Sequence, residues 1–226
     1  MTSETAPPEM PPAVAPHSWS QAWLVAVTQP NIESYTALAD DPSASVKKAF
    51  AWVFVSGLIA SGVASLLRLA FISTALTGLE QSSDATIGIG VVALITLACV
   101  IPISAAMAGV GLLIYAGIEQ FVAGALGGEG SFTRLCYVMA AYTAPISLAA
   151  ALLALIPFLG ACVGAILGFY SLGLNALAIK SVNRFGWGNA ILSMIVPLIF
   201  LVLIMVIVFF WLVSPALSTL LTQPSA

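Results

Sequence analysis

Acyl or phosphoryl transfer needs a nucleophile beside a base, and the apolar runs of this chain supply only the first. Serine and threonine recur in them, but no histidine or aspartate lies within a predicted span. Serine-based and aspartyl intramembrane hydrolysis therefore both lack their residues. The single histidine, His17, stands at the edge of a proline-rich tail. The three cysteines, Cys99, Cys136 and Cys162, have no paired spacing, so neither a metal nor a cofactor is expected. Gly127-Gly128-Glu129-Gly130 has the outline of a phosphate cradle. It lacks the lysine, follows no strand, and sets a carboxylate where a phosphate needs donors. The residues argue against an enzyme.

Polar groups inside a bilayer are the remaining pointer to function, because a midplane charge costs about 2.5–3.5 kcal/mol even on a lenient scale. Glu119, Arg134, Lys180 and Arg68 all fall at predicted span ends. Asn175 is the best interior candidate. It is expected to hydrogen-bond across helices, worth about 0.6–2 kcal/mol, with a substrate contact as the alternative. Gly160, Gly164 and Gly168 recur every four residues, so they line one helical face and would let another backbone approach closely. Packing within the chain, against a face carrying Ala140 and Ala144, is the first expectation and homo-oligomerisation the second. Pro102, Pro145 and Pro197 would suit the broken helices of a small-solute transporter or channel. Proline is common in membrane helices, however, so this stays an alternative.

These residues need a frame, and composition supplies it. The chain is 61% hydrophobic and 7% charged, against about 25% charged in a soluble domain. It is an integral membrane protein. A net charge of −3 with no basic stripe gives nucleic-acid binding no support. Residues 1–17 form a proline-rich tail expected to be disordered. In the segment 18–46, Trp19, Trp23 and Val27 share one helical face, which predicts a short amphipathic helix at the membrane interface. Pro30-Asn31 restarts the chain, Asp40-Asp41-Pro42 ends that piece, and Ser43 or Ser45 caps the first long apolar helix.

The architecture expected is all-α: a polytopic bundle of five transmembrane helices over residues 47–213. The spans are predicted at about 49–72, 91–118, 135–156, 158–180 and 190–213, with a short external tail at 214–226. A polar loop at Gly78–Asp84 follows the first span. The second run is too long for a straight crossing, so it should kink at Pro102 and project past the membrane near Glu119-Gln120. Gly127, Gly128, Gly130, Ser131 and Phe132 form the next loop, with Ser131 capping the third helix. Ile156-Pro157 leaves room only for a tight hairpin between spans three and four. With five spans, Lys47, Lys48, Arg134, Lys180 and Arg184 share one side and Arg68 takes the other. The positive-inside rule makes the first side cytoplasmic and the carboxyl terminus external.

Several of these pieces are familiar together. The Gly127-Gly128-x-Gly130-Ser131-Phe132 loop precedes a span carrying Tyr142-Thr143-Ala144-Pro145. The corner Ile156-Pro157-x-x-Gly160 comes next, and a long fourth span ends in a loop before Ala190. Gln29-Pro30 and Asp41-Pro42 lie ahead of the first span. In this order over residues 29–213 the chain resembles the Yip-domain family, five-span proteins named for eukaryotic members that bind Ypt/Rab GTPases. The resemblance implies five helices, a cytoplasmic amino terminus and no catalytic residues. The Asp-Leu-Tyr-Gly-Pro signature of the eukaryotic amino-terminal region is absent, so GTPase binding is not carried over and a prokaryotic member is expected. The function expected is a non-enzymatic scaffold or adaptor in the cytoplasmic membrane. Its partners are the lipid bilayer and unknown membrane or cytoplasmic proteins met on its cytoplasmic face.

Overall fold

In a computed structural model of the chain, residues 17–76 and 90–221 are described. Residues 1–16 of the proline-rich tail, the Gly78–Asp84 loop and residues 222–226 lie outside them. Two short helices, α1 (Trp19–Thr28) and α2 (Ile32–Ala39), lead into α3 (Val46–Leu76). Then come α4 (Gly90–Ala125), α5 (Phe132–Leu153), α6 (Pro157–Asn183) and α7 (Trp187–Leu221). Five helices are long and apolar enough to cross a membrane: Val46–Phe71, Gly90–Ala125, Phe132–Leu153, Cys162–Asn183 and Trp187–Trp211. Among the described residues there is no strand. The chain is an all-α, multi-pass membrane protein.

Helix α5 is the centre. It packs against α3, α6, α4, α1 and α2, and every residue from Leu135 to Tyr142 is buried. A helix apolar on all sides must sit inside its bundle. Its small residues, Ala140, Ala141 and Ala144, are wholly buried. Lipid tails are as apolar as leucine, so close approach and dispersion, rather than hydrophobic exclusion, hold such helices together. Ser131 caps α5 by accepting from the Arg134 backbone N–H at 3.4 Å. The backbone of α5 runs on through Pro145, and that of α7 through Pro197.

Pro102 has a different effect. Five residues of α4, Thr96–Val100, form a π-helical turn, closed where the Ile101 N–H donates to the Thr96 carbonyl. A proline ring excludes the ordinary α-helical partner, and the wider turn accommodates it. The helix then resumes unbroken to Ala125. Its buried residues, Ala105, Gly109, Leu112, Ala116, Glu119 and Ala123, form one stripe at alternating spacings of four and three.

The amino-terminal helices are docked on the bundle: α1 lies on α5, and α2 on α6 and α5. Ser18 and Gln21 form a capping box at the start of α1. At its other end the last-turn carbonyls of Ala26 and Val27 accept from the hydroxyls of Tyr35 (2.7 Å) and Tyr170 (2.6 Å). A helix terminus left with orphan carbonyls is thereby satisfied by α2 and α6. Ala22 and Ala26 are fully buried. The two indoles turn toward α3, where Trp19 and Trp23 meet Trp52 edge-on at 5.8 and 6.1 Å. Trp19 remains 45% exposed. Ser45 caps α3, accepting from the Lys48 N–H at 3.2 Å.

Candidate functional site

Two polar clusters stand out, one at the end of the bundle that carries α1 and α2 and one buried among the helices. Each uses a tyrosine of α5.

At the bundle end, Asp41 is 4% exposed. It accepts from the His17 N–H and Nδ1 at 2.9 Å each, and from the Ser43 N–H and hydroxyl at 2.7 Å each. The Tyr137 hydroxyl donates to it at 3.2 Å. Burial alone would raise the Asp41 pKa, but the hydrogen bonds from Ser43 and His17 outweigh it and hold it at about 2. Lys48 donates to Ser43 Oγ at 2.8 Å and stands 5.3 Å from the ring centres of both Trp52 and Tyr137. One carboxylate thus ties residue 17, the turn before α3 and the core of α5 together. The neighbouring Asp40 carboxylate pairs with Arg134 of α5 at 3.3 Å and Arg184 after α6 at 3.0 Å.

The glycine-rich loop after α4 joins this end. Asn183 accepts at Oδ1 from Gln120 (2.9 Å) and from the Gly130 N–H (3.2 Å). Gln120 also donates to the Gly130 carbonyl at 3.0 Å, and the Glu129 N–H to the Asn183 carbonyl at 3.3 Å. A methyl on Gly128 or Gly130 would meet Asn183 Oδ1 at 2.6 Å, and on Gly130 also the Val182 carbonyl at 2.8 Å. Gly127 adopts φ +85°. The loop is therefore a folded seam between α4 and α6. Its tip stays open: Glu129, Ser131 and Phe132 are exposed.

The second cluster centres on Glu119, which is 0% exposed. The sequence reading lets α4 emerge into water near this residue, and the structure corrects it. Glu119 lies on the buried stripe of α4 and faces α6. Asn175 Nδ2 donates to Glu119 Oε1 at 2.6 Å and lies 3.3 Å from the Tyr115 hydroxyl. The Tyr142 hydroxyl donates to Asn175 Oδ1 at 3.1 Å. Among the described residues Glu119 Oε2 has no hydrogen-bond partner. Asn175 thus joins α4, α5 and α6 around a buried carboxyl group.

Two adjoining cavities border this cluster. One, of about 270 Å³, is lined by Tyr115, Tyr142, Thr143, Ser147, Ser171 and Asn175 among others. The other, of about 430 Å³, shares Tyr115, Thr143 and Ser147 and extends to Ser56, Ser61 and Ser104.

The glycine stripe of α6 divides. A methyl on Gly160 would meet the Leu153 carbonyl at 2.6 Å and Ala154 Cα at 2.8 Å, so the hairpin corner requires glycine there. At Gly164 and Gly168 a methyl would meet nothing within 4 Å. The close approach expected of all three within the chain therefore occurs at Gly160 alone, because α6 leans on α5 at the corner and presents its next two glycines outward.

From sequence, Tyr115 has no assigned role, Glu119 is set aside as a span-end residue, and Tyr142, Asp41 and His17 figure only in a motif, a turn and a tail. For Glu119 a signal exists. Tyr115 and Glu119 are one turn apart, and Glu119 continues the small-residue stripe of α4. For His17 and Asp41, 24 residues apart, no local pattern could have joined them.

Most of the stretch that builds this bundle matches a family model. The Yip1 domain covers residues 26–210. The chain belongs to the Yip1 domain family. No curated protein and no solved structure matches it. The Yip1 match begins within α1 and ends within α7, so it takes in both polar clusters except His17.

Proposed function

We propose that this Yip1-domain protein is a non-enzymatic membrane adaptor that binds protein partners on the bundle end formed by α1, α2 and the loops at 126–131 and 184–186. One observation carries the reading: Asp40 pairs with both Arg134 and Arg184, so three separate segments make one continuous polar end. Around it Phe132, Trp187 and Trp19 are exposed, at 38%, 48% and 45%. Exposed aromatics beside arginines are the composition of a protein-binding patch. From Leu198 to Val208, α7 exposes mostly aliphatic side chains suited to lipid.

This end faces the cytoplasm, because it carries Lys47, Lys48, Arg134, Lys180 and Arg184. Photo-crosslinking residues placed at Glu129 and Trp187 should capture a discrete protein in native membranes, while one at Phe169, on the outer surface of α6, should capture lipid. If Glu129 and Trp187 yield no protein adduct above the Phe169 background, the adaptor reading fails. Reporter fusions should place residues 30, 128 and 186 in the cytoplasm and the carboxyl terminus outside.

A further inference from the structure

The α1–α2 pair runs down the flank of the bundle. Asp40, just after α2, pairs with Arg134 and Arg184, and Lys48 bonds Ser43 three residues on. Arg68 lies twenty residues beyond Lys48 on α3, about 30 Å and one hydrocarbon thickness, so the Asp40 level is one membrane surface. Helix α1 also starts there, with His17 on Asp41, yet its far end gives the Val27 carbonyl to Tyr170. Tyr170 stands fourteen residues of α6 before Arg184, about 21 Å along the helix. The turn between the two short helices therefore sits inside one leaflet.

Beside that turn, α2, α6 and the start of α7 enclose a groove of about 670 Å³, within the size range of small-ligand sites. Glu33 and Leu177 line its two walls at one level, each seven residues from the Asp40–Arg184 pair and about 10 Å down. Leu174 and Phe169 carry the apolar wall of α6 about 12 Å past Leu177. At the mouth stands Trp187, with the Lys180 ammonium 5.1 Å from its ring centre. Glu33 is exposed, and among the described residues no Lys, Arg or His pairs with it. A carboxylate at that depth is costly without a countercharge. The groove thus offers one acid, one base, an interfacial indole and an apolar trough leading away from them.

We propose that this groove seats one phospholipid with a primary ammonium headgroup, of the phosphatidylethanolamine type. Its ammonium donates to Glu33, its phosphate lies on the side of Trp187 and Lys180, and an acyl chain follows Leu174 toward Phe169. Charge selects the class: a zwitterion meets one acid and one base, whereas an anionic lipid sets its net charge against Glu33. Hydrogen bonding selects the amine. A carboxylate accepts N–H bonds that a primary ammonium has and a quaternary one lacks. A quaternary headgroup is instead read by an aromatic cage, and of the groove's aromatic side chains only Trp187 is at the mouth. The site is independent of the adaptor reading, since it requires no protein partner.

The test uses the full chain, purified in detergent and stripped of lipid. It is offered phosphatidylethanolamine, phosphatidylcholine or phosphatidylglycerol with identical acyl chains. Native mass spectrometry counts the lipids retained, and the melting temperature is read alongside. Phosphatidylethanolamine should be retained one per chain, about tenfold more tightly than the other two, the worth of one charge-assisted hydrogen bond. It should raise the melting temperature saturably, as a ligand of the folded state must. Glu33→Gln should erase the preference among the three lipids, while Glu129→Gln, an exposed loop carboxylate, should keep it. Gly173 lines the groove, and a methyl there would meet nothing within 4 Å. Gly173→Leu should therefore fill the groove without disturbing the fold, and abolish the saturable response. Equal retention of the three lipids by the parent chain would overturn the proposal, as would a preference for phosphatidylcholine or phosphatidylglycerol. So would a phosphatidylethanolamine preference surviving in Glu33→Gln, or an unchanged response in Gly173→Leu.

Discussion

Asn175 of α6 stands 2.6 Å from Glu119 of α4 through its side-chain nitrogen, while its oxygen receives the Tyr142 hydroxyl of α5 at 3.1 Å. One amide thereby satisfies an acceptor on one helix and a donor on another. Removing it orphans both. Asn175→Leu should destabilise the folded protein by about 1–3 kcal/mol, the cost of unsatisfied buried partners. The double variant Asn175→Leu with Glu119→Met should recover part of that loss, because the orphaned carboxyl is gone. Thermal melting in detergent of the two single variants and the double one completes the cycle; strict additivity would refute the coupling.

Glycines of one chain divide sharply by what faces them. Gly130→Ala forces a methyl against the Val182 carbonyl at 2.8 Å and should cost about 1–3 kcal/mol. Gly164→Ala and Gly168→Ala meet open space and should be neutral or stabilising by up to about 1 kcal/mol, alanine being the better helix former. Comparable losses at all three positions, measured by melting of the purified protein, would contradict the packing described.

Arg184 ends α6 in the left-handed region at φ 54°. Glycine occupies that region freely, whereas other residues are strained. Its pairing with Asp40 is more than half exposed on the arginine side and is worth at most about 1 kcal/mol. Arg184→Gly should therefore be no less stable than the parent, and Arg184→Ala less stable than Arg184→Gly. A parent more stable than Arg184→Gly on thermal melting would mean that the ion pair outweighs the backbone, and Arg184→Ala more stable than Arg184→Gly would refute the backbone strain.

Asp41 predicts an acid limit. Its folded pKa, about 2, lies below the ordinary 3.8, so it contributes stability that is complete above about pH 4 and is lost as pH falls toward 2. Asp41→Asn should be less stable at neutral pH and should flatten the pH dependence in that window. Melting temperature against pH, compared between the parent and Asp41→Asn, reads the difference. Parallel curves would show that the acid loss arises elsewhere.

Much of this protein is decided by composition and local pattern. Seven per cent charge and five long apolar runs leave a bilayer as the only suitable solvent, and backbone groups in a bilayer must pair within helices. Pro157 before Gly160, the Ser131 cap and the Ser45 cap are local rules, readable from neighbours in the chain. The even spacing of Gly160, Gly164 and Gly168 is equally local. Periodicity reveals which residues share a face but not what that face meets, so only the fold could separate Gly160 from the other two. Glu119 shows the same division. Its place near a span end suggested water, and its place on a small-residue stripe suggested burial; α6, arriving with Asn175 from 56 positions away, decided between them. Long-range partners such as His17 with Asp41, Tyr137 with Asp41 and Asn183 with Gly130 leave no periodic trace. Each depends on where α5 and α6 are packed, and side-chain packing in three dimensions is what a one-dimensional pattern does not contain.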